Sequence, residues 1–224
     1  MKDKKLFSVG LILIAVFIFW TILILTVDVQ PVGVNGTVVG FATLNCSFHN
    51  LTGVNMSVYH ITDWLGLVPL FCCMIYGSVG FVQLIKRKNL LKVDIDILLL
   101  GVYYLIVIFG YLIFEMIPIN YRPILIDGIM EASYPSSTTL LVSSVMPTVI
   151  FQIDRRIKNM VVRRIITPST ILFSLFMLIG RTIAGVHWLT DIIGSVILAM
   201  GLYLIYYSSV LLLDKKRRVY SGIQ

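Results

Sequence analysis

The 224-residue chain alternates long apolar runs with short polar ones. Residues 6–27 form a run of 22 positions without a charge. That is long enough to cross a bilayer, and longer than the apolar core of a signal peptide. It is therefore predicted to be a retained first transmembrane helix. Further runs at approximately 64–85, 95–117, 137–153, 165–180 and 189–213 predict five more spans. Trp64 suits an interfacial anchor, and Pro147 should kink the short fourth span. Between the first two runs, residues 28–63 are rich in Asn, Gly, Ser and Thr and hold no Lys or Arg. Pro31, Gly33, Gly36 and Gly40 favour turns over a long helix in this outer loop. The pattern predicts an all-α integral membrane protein, six transmembrane helices in a bundle, as one membrane domain over 1–224.

Composition agrees with the pattern. Hydrophobic residues make up 58% of the chain and charged residues 13%, against about 45–50% and 25% in soluble domains. Cys46, Cys72 and Cys73 give no disulfide framework. Four Asn-x-Ser/Thr sequons, at Asn35, Asn45, Asn50 and Asn55, are what a loop of this composition produces by chance, and a bacterial plasma membrane is the expected location. His49 and His60 in the same loop read as solvated.

The net charge of +7 would suggest a nucleic-acid partner were it not so segregated. With six spans, 16 of the 18 Lys and Arg residues fall on one side: Lys2, Lys4 and Lys5; Lys86, Arg87, Lys88 and Lys92; Arg155, Arg156, Lys158, Arg163 and Arg164; Lys215, Lys216, Arg217 and Arg218. By the positive-inside rule that side is cytoplasmic and holds both termini, so no nucleic acid is implied. Arg122 and Arg181 alone remain outside. A guanidinium fork there suits a phosphate or carboxylate, although pairing with Asp127, Glu131 or Glu115 would equally retain each one.

Three outer segments carry the candidate chemistry: NYRP at 120–123, YPSSTT at 134–139 and GRTIAGVHWLTD at 180–191. His187 and Asp191 are four apart, so on the first turn of a helix they would share a face. A carboxylate accepting the imidazole N–H would fix the tautomer and sharpen the other nitrogen as a nucleophile. Arg122 and Arg181 would neutralise a phosphoryl group, and Ser136 and Ser137 at a helix start would add hydroxyls and backbone N–H groups. This describes phosphoryl transfer through a phosphohistidine, without a metal or other cofactor. The plainer reading of His187 and Asp191 is a structural pair at a helix start.

These segments resemble the motifs of the type 2 phosphatidic acid phosphatase superfamily, the membrane lipid phosphate phosphatases. The third motif, Ser-Arg-x5-His-x3-Asp, is matched by Arg181, His187 and Asp191, with Gly180 in place of the serine. Arg122 and Pro123 match the first motif, Pro135 and Ser136 the second. The resemblance implies that Arg181 binds phosphate, His187 is the nucleophile and Asp191 orients it. Two positions depart from the pattern. Glu115 stands where the first motif has lysine, and Thr138 where the second has the histidine that protonates the leaving group.

Loss of a general acid hurts least when the leaving group is itself a phosphate. The expected function is therefore hydrolysis of lipid phosphates, preferentially lipid diphosphates such as polyprenyl diphosphates, on the extracytoplasmic face. The alternative is a catalytically impaired relative that binds lipid phosphate without turnover. A transporter is disfavoured, because Asp96 and Glu115 lie near span ends rather than at the midplane where transporter sites form. The oligomeric state stays open.

Overall fold

The structure, a computed structural model, describes residues 2–221, with side chains through Arg217. Met1 and residues 222–224, counted in the single domain, and the side chain of Arg218, counted in the basic tail, lie outside the described residues. The described residues form eight α-helices: α1 (Lys2–Thr26), α2 (Ala42–Thr52), α3 (Met56–Leu65), α4 (Leu67–Arg87), α5 (Ile95–Met116), α6 (Ser137–Arg156), α7 (Met160–Ile183) and α8 (Leu189–Ser221).

α1 lies along α8. The close approach needs two small residues. A Cβ on Gly10 would sit 2.8 Å from Ile205 Cγ1, and one on Gly201 would sit 2.9 Å from Ile14 Cδ1. Small residues at a helix crossing are how transmembrane helices gain van der Waals contact where lipid supplies no hydrophobic drive.

Five stretches of helix are long and apolar enough to cross a membrane: α1, α3 running into α4, α5, α7 and α8. α6 is not among them, and its packing explains why. It is enclosed by α4, α5, α7 and α8, and Thr139, Ser144, Thr148 and Gln152 are buried along it. Tyrosines meet part of this polar content. Tyr104 Oη and Thr148 Oγ1 are 2.7 Å apart, Gln152 Nε2 donates to Tyr206 Oη at 2.9 Å, and Tyr103 Oη donates to the Ser144 carbonyl at 2.9 Å. A helix that faces protein rather than lipid needs no continuous apolar surface, provided its polar groups are paired. α6 continues as one helix through Pro147.

The basic end of the bundle is stitched by ion pairs. Buried Asp96 meets Arg156 at 2.7 Å and Arg155 at 3.4 Å, and Arg155 also reaches Asp214 at 2.7 Å.

The 28–63 loop is more ordered than its composition predicts. Its first part turns, as its Pro and Gly content implies, but 42–65 is mostly helical as α2 and α3. Gly53, at φ +65°, ends α2. The Asn55 side chain then caps α3 by accepting from the Val58 N–H. Asn45 is buried and holds α8 by donating to Thr190 Oγ1 at 3.0 Å. One sequence reading changes with this, that of His49. His49 is half-buried rather than freely solvated: its Nδ1 is buried and its ring lies 5.6 Å from that of Trp188.

Candidate active site

α7 ends at Ile183, and Gly185 at φ +68° turns the chain toward α8. A Cβ at 185 would strike the Gly53 carbonyl, so the turn needs glycine for both its conformation and its space. The turn leaves His187 ahead of α8, whereas Asp191 lies in the helix's first turn. Asp191 Oδ2 accepts the Trp188 N–H at 3.0 Å, as a capping-box carboxylate does.

The expectation that His187 and Asp191 share a helical face and a direct hydrogen bond is therefore corrected. Ser133 stands between them. Its Oγ donates to Asp191 Oδ2 at 2.5 Å and lies 3.0 Å from His187 Nδ1. Nδ1 also lies 3.1 Å from the Ser133 carbonyl, so the ring carries its proton on Nδ1 and leaves Nε2 with a lone pair. Asn120 Nδ2 donates to the other Asp191 oxygen at 3.2 Å. Backbone hydrogen bonds pair Ser133 with Asn120 and Arg122 with Glu131 (2.8 and 3.1 Å), so one short antiparallel loop delivers all four residues.

Arg122 and Arg181 reach the same place. Arg181 Nη2 is 3.3 Å from His187 Nε2. The Arg181 and Arg122 guanidiniums lie 5.1 and 6.0 Å from the centre of the Tyr59 ring. Each has a carboxylate neighbour, Glu131 for Arg122 at 3.0 Å and Asp63 for Arg181 at 3.7 Å. Nε and Nη1 of Arg122 and Nε of Arg181 nevertheless stay buried without a partner. Buried guanidinium donors are costly to leave unmet. Three guanidinium nitrogens in one place thus lack an acceptor among the described residues. Burial first, then Arg122 and Arg181, hold the His187 pKa well below the usual histidine value, so the ring is neutral near pH 7.

The other expected residues are placed as follows. Ser137 and Thr138 line the mouth of an apolar groove, and Ser137 also lines a polar chamber beside Arg122. Ser136 is fully buried and its hydroxyl donates to Thr139 Oγ1 at 3.0 Å, so that hydroxyl faces the protein rather than the arginines. Among the described residues Glu115 pairs with neither arginine; it faces Tyr111 and lines the polar chamber.

α3 supplies what sequence reasoning missed. Tyr59, Thr62 and Asp63 all touch Arg181, with Thr62 Oγ1 at 3.5 Å from Nη1. The spacing of Tyr59, Thr62 and Asp63 on one helical face was the available signal, but it sits in a stretch that reads as loop. Gly180 makes room for this helix, since a Cβ there would lie 2.7 Å from Thr62 Cγ2. The glycine at the family's serine position is thus matched to α3.

Fold and site together define an all-helical, multi-pass membrane protein in which two arginines and a histidine are buried side by side. The profile of the PAP2 superfamily matches residues 96–214, and the chain belongs to that superfamily. No curated protein matches in sequence. Among solved structures, the chain is similar to a transmembrane PAP2-type phosphatidylglycerolphosphate phosphatase from Bacillus subtilis. The TM-score is 0.60 at 15% identity, covering 92% of this chain and 96% of that one. The likeness is one of fold, and the superfamily's membrane phosphatase fold supports lipid phosphatase activity in general terms.

Proposed function

We propose that the protein hydrolyses lipid phosphates on the extracytoplasmic face through a phosphohistidine at His187, with α6 as the sixth span. The observation that carries this is the meeting of a neutral His187, its Nε2 carrying the lone pair, with unpartnered N–H groups of Arg122 and Arg181. The segregation of 16 of the 18 basic residues away from this end supports the face.

The phosphoryl group binds to the two guanidiniums, drawing the Arg181 N–H away from Nε2. Nε2 then attacks phosphorus as the bond to the leaving oxygen breaks. The positive charge on the ring is met at Nδ1–H by the Ser133 carbonyl, and Asp191 holds Ser133 in place. Water attacks the phosphohistidine and releases phosphate. The lipid chain fits an apolar groove of about 340 Å³ between α4, α5 and α6, which starts at Asp63, Ser137 and Thr138 and runs past Leu67, Leu70 and Leu141.

Thr138 cannot protonate a departing alkoxide, so lipid diphosphates, whose leaving group is a phosphate, are the preferred substrates. Phosphate release from purified protein, across lipid monophosphates and diphosphates and with His187→Ala as control, tests the reading. Faster monophosphate hydrolysis overturns the preference, and release that survives His187→Ala overturns the mechanism. The second reading, a binder without turnover, rests on Asp63 and Glu131 already lying against the arginines and on the missing acid at 138. Lipid phosphate bound without release supports it.

A further inference from the structure

Between α4 and α5, at the basic end of the bundle, lies a second apolar groove of about 320 Å³. It shares no lining residue with the groove beside Thr138. Gly77, Phe81 and Leu84 of α4 and Ile97, Gly101 and Tyr104 of α5 line it. Packing does not explain the two glycines. A Cβ on Gly77 or Gly101 would meet nothing within 4 Å, and neither has a positive φ. Gly10 and Gly201, by contrast, are small because α1 and α8 touch there. Glycine disfavours a helix interior relative to alanine, so Gly77 and Gly101 keep open a space that no protein atom fills. α3 running into α4 is also the least buried of the five long apolar stretches.

The loop at the end of the groove carries the second feature. Residues 88–92 read Lys-Asn-Leu-Leu-Lys; Leu90, which also lines the groove, is 57% exposed and Leu91 81%. Bare leucines flanked by lysines suit a loop at a membrane interface, with apolar side chains in the acyl region and ammonium groups at head-group level. Arg87 is committed to Asp94 at 2.7 Å, whereas the exposed Lys86, Lys88 and Lys92 side chains have no partner among the described residues. Topology accounts for the sign of these charges, but not for the open groove beside them.

Length decides what fits. From Cys73 to Leu84 the α4 wall runs about 16 Å, half of a hydrocarbon core about 30 Å thick. That is the depth of one leaflet, and so of one acyl chain with its head group at the loop. We propose that this groove binds one anionic phospholipid of the surrounding membrane, an acyl chain between α4 and α5 and its phosphate against Lys88 and Lys92. By the positive-inside rule this is the cytoplasmic leaflet, whose anionic lipids attract lysines beside a transmembrane helix.

Native mass spectrometry of the detergent-purified protein, titrated with phosphatidylglycerol and with phosphatidylcholine of identical chains, tests this. Neither lipid is a phosphate monoester, so turnover does not enter the readout. We expect one phosphatidylglycerol to be retained on the order of tenfold more tightly than phosphatidylcholine. Lys88→Gln combined with Lys92→Gln removes that preference. Gly77→Leu, or Gly101→Leu from the opposite wall, fills the groove and weakens retention of both lipids about tenfold, while Tm in detergent stays the same or rises. Equal retention of the two lipids, or retention that ignores both leucine variants, overturns the proposal. So does a preference that survives the lysine pair and disappears in Arg122→Gln, which would place the lipid at the phosphate site. A dimer lost in Gly77→Leu would make the groove an interface between copies and overturn it as well.

Discussion

Arg181 Nη2 lies 3.3 Å from His187 Nε2, so the guanidinium N–H points at the lone pair expected to attack phosphorus. In the proposed mechanism the nucleophile is therefore held neutral and masked by the group that must also bind its target. Phosphate oxygens are better acceptors than imidazole for a charged donor, and their arrival moves the N–H off the ring.

Arg181→Lys keeps the charge and loses the fork. A lysine ammonium cannot contact phosphate, Thr62 and the histidine with one fixed geometry. We expect kcat/KM to fall about 10²-fold or more, the cost typical of removing one such donor. Steady-state phosphate release by wild type and variant measures it, and activity within threefold of wild type would exclude the assigned role.

Under the proposed mechanism, the lowered pKa of His187 sets the acid side of the pH profile. Activity needs the neutral ring, so the fall in rate on acidification lies below the ordinary histidine value of about 6.5. Arg122→Gln removes one of the two cations that disfavour the imidazolium, so the acid limb moves to higher pH. Stability follows the same sign. Above about pH 6.5 the ring is neutral in both folded and unfolded chains and contributes no slope. Below it the unfolded chain takes up a proton that the folded one refuses, so stability drops as pH falls toward the folded-state pKa. Tm measured from pH 7.5 to 5 should fall more steeply for wild type than for His187→Gln.

How much of this was readable from sequence follows from what each residue faces. Helices that meet lipid announce themselves by apolar runs, and α1, α5, α7 and α8 each lie within a few residues of their expected bounds at most ends. α6 carries a weaker signal because its surroundings are protein, and Tyr104 and Tyr206 meet its buried Thr148 and Gln152 side chains. Arg122, Arg181 and His187 were legible because charge at an apolar boundary is conspicuous. Ser133 was not, since a serine in a polar connection looks like any other until the 120–133 loop folds back between His187 and Asp191. Tyr59, Thr62 and Asp63 lay hidden because Asn- and Gly-rich flanks obscured α3.

Ser133→Ala tests the relay directly. The ring keeps the Ser133 carbonyl as partner for Nδ1, so the tautomer survives, whereas Asp191 loses its hydroxyl donor. Losses at such supporting positions run about 10–100-fold. We expect that loss in kcat with KM nearly unchanged, because Ser133 touches neither arginine side chain. A rise in KM at constant kcat would instead assign the serine to substrate binding.

Gly180 and Thr62 test whether α3 belongs to the site. Gly180→Ser restores the residue of the family motif but places a Cβ 2.7 Å from Thr62 Cγ2. Overpacking at a tight contact costs about 1–3 kcal/mol, so Tm should fall. Thr62→Ser deletes the clashing methyl while keeping a hydroxyl near Arg181 Nη1. The double variant should recover most of the lost stability, giving a coupling of the two sites well outside additivity, since contacting residues couple by about 0.5–3 kcal/mol. The same recovery in phosphate release would show that α3 must sit against Arg181 for turnover. Additive effects would mean that α3 packs elsewhere in the working protein, and the glycine at 180 would then need another explanation.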